Sequence, residues 1–200
     1  MKSKIFAAAV ITGIMAAAMC ITSFAGGMAC PADQRQKLPE FRYTEEAPYM
    51  NAILDHIKNT QGQYYEAGDV MIPNFIILKA DESNPGDIKV WGNFEIENYD
   101  LQGDNLFCKN GGSNPGLIHL RKTPAGTYEV TGADMVGDGS NYTPDVNRIF
   151  GADQDLLRAF GNQDLIRDKN RTDTIRRYVM RNNLPVNTYQ DYGWDKVSVR

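Results

Sequence analysis

The chain is poor in the residues on which the commonest site chemistries depend. It has two histidines and three cysteines among 200 residues, too few for a cysteine-based zinc site or a disulfide scaffold. His56 and His119 are not spaced as an HExxH pair, and no Gly-x-Ser-x-Gly elbow is present, which removes the zincin and serine-hydrolase arrangements. The stretch Asn110-Gly111-Gly112-Ser113-Asn114-Pro115-Gly116 lacks the Gly-Lys-Ser/Thr ending of a phosphate loop. Asp134, Asp138 and Asn141 lack EF-hand spacing and a closing Glu. No metal and no cofactor is implied. A basic excess is also missing: 21 Lys and Arg face 25 Asp and Glu, so nucleic acid is not an expected partner.

What is present begins with an export signal. Lys2 and Lys4 precede the uncharged run Ile5–Phe24, and Ser23 and Ala25 place small residues where a signal peptidase reads. Residues 1–25 are therefore expected to be a cleaved signal, with the mature chain starting at Gly26. The alternatives are a retained anchor, or lipidation of Cys30, although Gly27 stands where a lipobox has Leu. Removing Lys2 and Lys4 leaves 19 bases against 25 acids, a net charge of about −6 with His neutral. The protein is then secreted or held in the cell envelope, with no membrane contact after signal removal. Cys30 and Cys108 remain, and an oxidising compartment favours a disulfide between them; two free thiols are the alternative.

Residues 26–43 read as an extended leader and 44–200 as a single α+β domain, with a helical extension over 143–200. Met50, Ile53, Leu54 and Ile57 recur at helical spacing, predicting a helix from Thr44 or Pro48 to Lys58. Val70–Lys79 is apolar at both parities, the pattern of a strand covered on two faces. Val90, Phe94 and Ile96 then alternate with Trp91, Asn93, Glu95 and Glu97, a strand with one buried face. Strands at 106–109, 117–122 and 127–136 complete an expected five-strand antiparallel meander, with 110–116 a mobile hairpin connection. Thr143-Pro144-Asp145 opens a helical tail interrupted near Gly151 and Gly161. A stronger helix spans 163–181 and is ended by Asn182-Asn183-Leu184-Pro185.

This order, a helix followed by a curling antiparallel sheet over roughly 44–137, resembles the cystatin-like and NTF2-like group of α+β folds. The resemblance implies a sheet wrapped against the helix, often around a cone-shaped pocket. It does not select a function, because that group includes enzymes, inhibitors and binding domains.

Candidate ligand-binding residues follow from parity. Trp91, Glu95 and His119 share the sheet face opposite the expected core and would line such a pocket. The expected function is a non-catalytic exported binding or accessory domain, its partner a small molecule or an anionic polymer. The alternatives are a small enzyme using His119 with Glu95, and a structural or inhibitory protein acting through its surface. The helix 163–181, with six Lys or Arg against three Asp, is the one local charge asymmetry; its bland reading is a solvated, self-paired face. Oligomeric state is not encoded in any motif.

Overall fold

The structure, a computed structural model, describes residues 38–200. The expected signal at 1–25, most of the expected leader and Cys30 lie outside the described residues. Cys108, the other half of the expected disulfide, carries a free thiol 3.9 Å from the Asn110 carbonyl oxygen.

Helix α1 runs Met50–Thr60, and its four stripe residues, Met50, Ile53, Leu54 and Ile57, are all buried. It starts later than Thr44. The Glu46 carboxylate accepts from the Thr44 and Glu45 amides at 3.3 and 3.2 Å, holding that stretch in a local turn instead of a first helical turn.

The α+β class holds, but among the described residues the sheet has seven strands, not five. They are β1 (Val70–Asp81), β2 (Ile88–Gln102), β3 (Asn105–Gly112), β4 (Pro115–Lys122), β5 (Tyr128–Met135), β6 (Thr188–Gln190) and β7 (Val197–Ser198). The path is β5-β4-β2-β3-β6-β7, with β1 on the other edge of β2. The sheet is mixed, since β6 lies parallel to β3. β2 is the spine. β4 pairs with its residues 88–93 and β3 with its residues 96–102, so β3 and β4 lie end to end along one edge instead of forming a hairpin.

The expectation of a mobile connection at 110–116 is thereby corrected. Asn93 Oδ1 accepts from Ser113 Oγ at 2.8 Å and from the Asn114 amide at 3.1 Å. Asn114 Nδ2 donates to the Phe94 carbonyl at 3.0 Å, stitching the β3–β4 step onto β2. Gly111 is needed for close approach, because a Cβ there would collide with the Ile96 carbonyl oxygen.

The two faces of β2 differ sharply. Ile88, Val90, Phe94 and Ile96 pack with Phe75, Ile118, Leu120 and α1 in the main core. The opposite face is covered by α2 (Tyr142–Phe150), α3 (Gln154–Gly161) and α4 (Asp164–Arg181). The Asp153 carboxylate caps α3 through the Asp155 and Leu156 amides. Phe150 and Phe160 stack at 4.4 Å in a second core that takes in Trp91 and Leu117.

α4 changes character along its length. Ile175, Tyr178 and Val179 in its second half join the main core. Asn183 ends it with φ of 48°, and the Leu184 amide reaches the Val179 carbonyl at 3.0 Å. Its first half lies over the polar face of β1 and β2. No described helix is long and apolar enough to cross a membrane.

Candidate functional site

The site arises from a match between two periodicities. Glu95 and Glu97 are two apart on β2 and therefore point the same way, roughly 6.6 Å from each other along the strand. Arg167 and Arg171 are four apart on α4 and share a helix face, about 6 Å from each other along the axis. Laid across the strand, the helix presents one guanidinium to each carboxylate.

Arg167 grips Glu95 with two nitrogens, Nε at 3.1 Å from Oε2 and Nη2 on Oε1, the fork geometry that fixes a guanidinium in plane. Asn74, fully buried and directly across β1 from Glu95, donates to Oε2 at 2.7 Å. Asn170 donates at 2.7 Å to Asn74 Oδ1 and at 3.1 Å to the Phe75 carbonyl. That last bond also satisfies an outer-edge acceptor of β1. Arg171 lies 2.6 Å from Glu97 Oε2 through Nε. It also donates to Tyr99 Oη at 2.9 Å and, with Nη1 and Nη2, to both Asp191 oxygens at 2.6 Å. Its guanidinium sits 4.9 Å from the Tyr189 ring and 5.6 Å from the Tyr99 ring. The Tyr99 hydroxyl donates a short bond to Glu97 Oε2.

Burial sets the electrostatics. Glu97, with a side chain 9 % exposed, is pushed up to about 7 by desolvation, which outweighs Arg171 and the Tyr99 hydrogen bond. Asp191, nearer solvent, is held below the usual carboxylate range by the hydrogen bonds from Arg171. Burial works against the charge of Arg171, and the hydrogen bonding to Asp191 with the surrounding negative groups more than offsets it. Burial pushes the Cys108 thiol up to about 12, with Glu97 adding to the shift, so at neutral pH it is a poor nucleophile.

These groups open onto a cleft of about 280 Å³, walled on the far side by Lys109–Ser113 of the β3 end and by Tyr192. Glu95 is 2 % exposed, but Arg167 is 43 % exposed. Among the described residues nothing is bonded to Arg167 Nη1 or to Glu97 Oε1. The cleft is thus lined by residues holding one open donor and one open acceptor, each on a group fixed by its other bonds. That is the geometry of a preorganised polar binding site. A second cleft, of about 300 Å³, lies between Leu38–Phe41, α1 and the start of β1. Its charged groups are already spent on one another and on backbone, as Lys58 with Glu40 at 2.5 Å and Asp69 with the Leu101 amide.

The three residues picked out by parity are on one face but not in one place. Glu95 is in the cleft. Trp91 is roofed by the α2–α3 core and carries Lys79 5.7 Å above its ring. His119 pairs across the sheet with Lys89, six positions from Glu95 along β2 and so about 20 Å away. Its Nδ1 is 2.6 Å from Asp87 Oδ1. His119 and Glu95 therefore form no catalytic pair.

Glu97 and Asp191 are not singled out by sequence, and Arg167 and Arg171 enter only among the six bases of the 163–181 charge asymmetry, although a signal exists. Two acids at strand spacing and two arginines at helical spacing are complementary templates. Comparison of the chain with protein-family models, with curated proteins and with solved structures finds no match in any of the three.

Proposed function

We propose that this chain is an exported binding domain whose ligand site is the cleft between the first half of α4 and the β3 glycines. The export part of the reading rests on the residues 1–25 pattern. The observation that carries the binding part is that Arg167, with Nη1 unbonded, and Glu97, with Oε1 unbonded, both line a cleft large enough for a small polar molecule. Such a site suits a ligand that both accepts and donates hydrogen bonds, such as a hydroxylated or zwitterionic compound. The test is a thermal-shift titration of the mature protein against monosaccharides, amino acids and dipeptides, repeated with Arg167→Gln. At least one compound should raise the melting temperature in the wild type and not in the variant. No shift from any of them, or a shift unchanged in Arg167→Gln, would overturn the reading.

Glu97 favours a second reading, a small enzyme. A carboxyl titrating near 7 beside a cleft is suited to take or give a proton at neutral pH. On that reading Glu97→Gln keeps ligand affinity and abolishes turnover of the bound compound, whereas in a plain binding protein no turnover exists to lose.

A further inference from the structure

Arg167 and Arg171 border more than one depression. The same two arginines and Asp191 also line a larger groove of about 900 Å³, which runs between α4 and the C-terminal segment 189–197. Two aromatic rings border these adjoining depressions and are left out of the core: Trp194, 75 % exposed, in the groove, and Tyr192, 86 % exposed, at the cleft. A tryptophan and a tyrosine held in water two residues apart forfeit the stabilisation that burial of large rings normally supplies. The loop bearing them is anchored, since Gln190 Nε2 donates to the Trp194 carbonyl at 2.8 Å and the Trp194 amide to Asp191 at 3.1 Å.

The groove's charges narrow the ligand class. Four cations and four anions line it, so the lining has no net charge and selects neither a polyanion nor a polycation. Its cations are committed, Arg167 to Glu95, Arg171 to Asp191, Lys169 and Arg176 to Asp173. The carboxylates of Asp168 and Asp195 have no bonded partner among the described residues, which makes them acceptors for hydroxyl groups. Flat rings for stacking, open carboxylate acceptors and a lining with equal numbers of cations and anions are complementary to a neutral sugar, whose faces are apolar C–H surfaces and whose rim is hydroxyls.

We infer that the ligand is a neutral oligosaccharide, one sugar unit seated in the cleft at Arg167 and Glu97 and further units lying along α4 against Trp194. This rests on the cleft being a binding site, and it adds the ligand class and the direction in which the chain extends. It also replaces the expected anionic polymer with an uncharged one.

The test is isothermal titration of the mature protein with cellohexaose and chitohexaose, with polygalacturonate and a lysine hexapeptide as charged competitors. At least one neutral hexasaccharide should bind, and Trp194→Ala should weaken it at least about tenfold, as for an aromatic anchor. Asp195→Asn should weaken it less, and a monosaccharide that binds the cleft should be indifferent to Trp194→Ala. Trp194 is exposed, so its replacement leaves the fold intact, which circular dichroism verifies. Failure of both hexasaccharides to bind, binding unaffected by Trp194→Ala, or a preference for either charged probe overturns the inference. Small-ligand binding that still depends on Arg167 would show in those cases that the cleft survives as a site and the sugar assignment alone has failed.

Discussion

The two faces of β2 are built from neighbouring residues by opposite rules. On one face Phe94 and Ile96 are fully buried among hydrophobic side chains, and Phe75 meets Phe94 edge-on at 5.4 Å. On the other, Glu95 and Glu97 are almost as deeply buried, but among arginines, asparagines and a tyrosine hydroxyl. Burying Phe94 contributes to stability directly, by about 1.5–3 kcal/mol for the transfer alone. Burying Glu95 costs free energy that Arg167 and Asn74 offset, and such pairs often stabilise no more than a hydrophobic replacement does. The apolar face therefore supplies the larger share of fold stability, whereas the ion pairs of the polar face offset the cost of their own burial.

The comparison is broken most severely at Phe94. Phe94→Ala should cost about 3–5 kcal/mol, as removal of a large core ring does, and leave whatever ligand affinity remains in the folded fraction unchanged. Denaturant melts with binding at saturating fold checks both parts; a loss under 1 kcal/mol contradicts the assignment of this face as the core. On the polar side, Arg171→Met removes the shared partner of Glu97 and Asp191 and should cost about 1–3 kcal/mol, because it leaves the buried Glu97 and Tyr99 oxygens without their guanidinium donor. The loss should shrink in the double variant Arg171→Met/Glu97→Met, and additive losses would contradict the pairing.

The pH dependence of the polar face has a definite sign. Glu97 sits at about 7 when folded against an ordinary value of 4.5. Raised in the folded state, it makes the native protein bind the proton more tightly than the unfolded chain. Its contribution is full below about pH 4.5 and is lost as pH rises through 7, on the order of 3 kcal/mol. Wild type should therefore lose stability relative to Glu97→Gln between pH 5 and pH 8 in chemical melts, and parallel profiles would contradict the burial of this carboxyl. The smallest effect concerns Cys108. With its thiol pushed up to about 12, it should react with iodoacetamide slowly at pH 8 in the native protein and quickly in urea. Equal rates would contradict its shelter, and no reaction before reduction would show that it is bridged to Cys30.

How much of this was legible in the sequence follows the same division. The α1 stripe, the two-sided burial of β1 and the limits of α4 are local patterns, and they appear almost where the spacing puts them. The β3–β4 step was misread because Gly111, Gly112 and Ser113 signal flexibility by composition, whereas their glycines serve close approach to β2 and Tyr65. The α4 arginines read as a solvated face because nothing local reveals that two carboxylates some 70 residues earlier lie beneath them. His119 and Trp91 share parity with Glu95, but parity fixes a face and says nothing of position along it.

The claim that the polar face is held for binding is tested most directly by replacing its central ion pair with apolar residues of similar size, Glu95→Met/Arg167→Met, and measuring stability and ligand binding on the same preparation. The expected result is a denaturation midpoint equal to or above that of the wild type, with small-ligand binding abolished. A variant that loses several kcal/mol of stability, or one that binds as the wild type does, would contradict it.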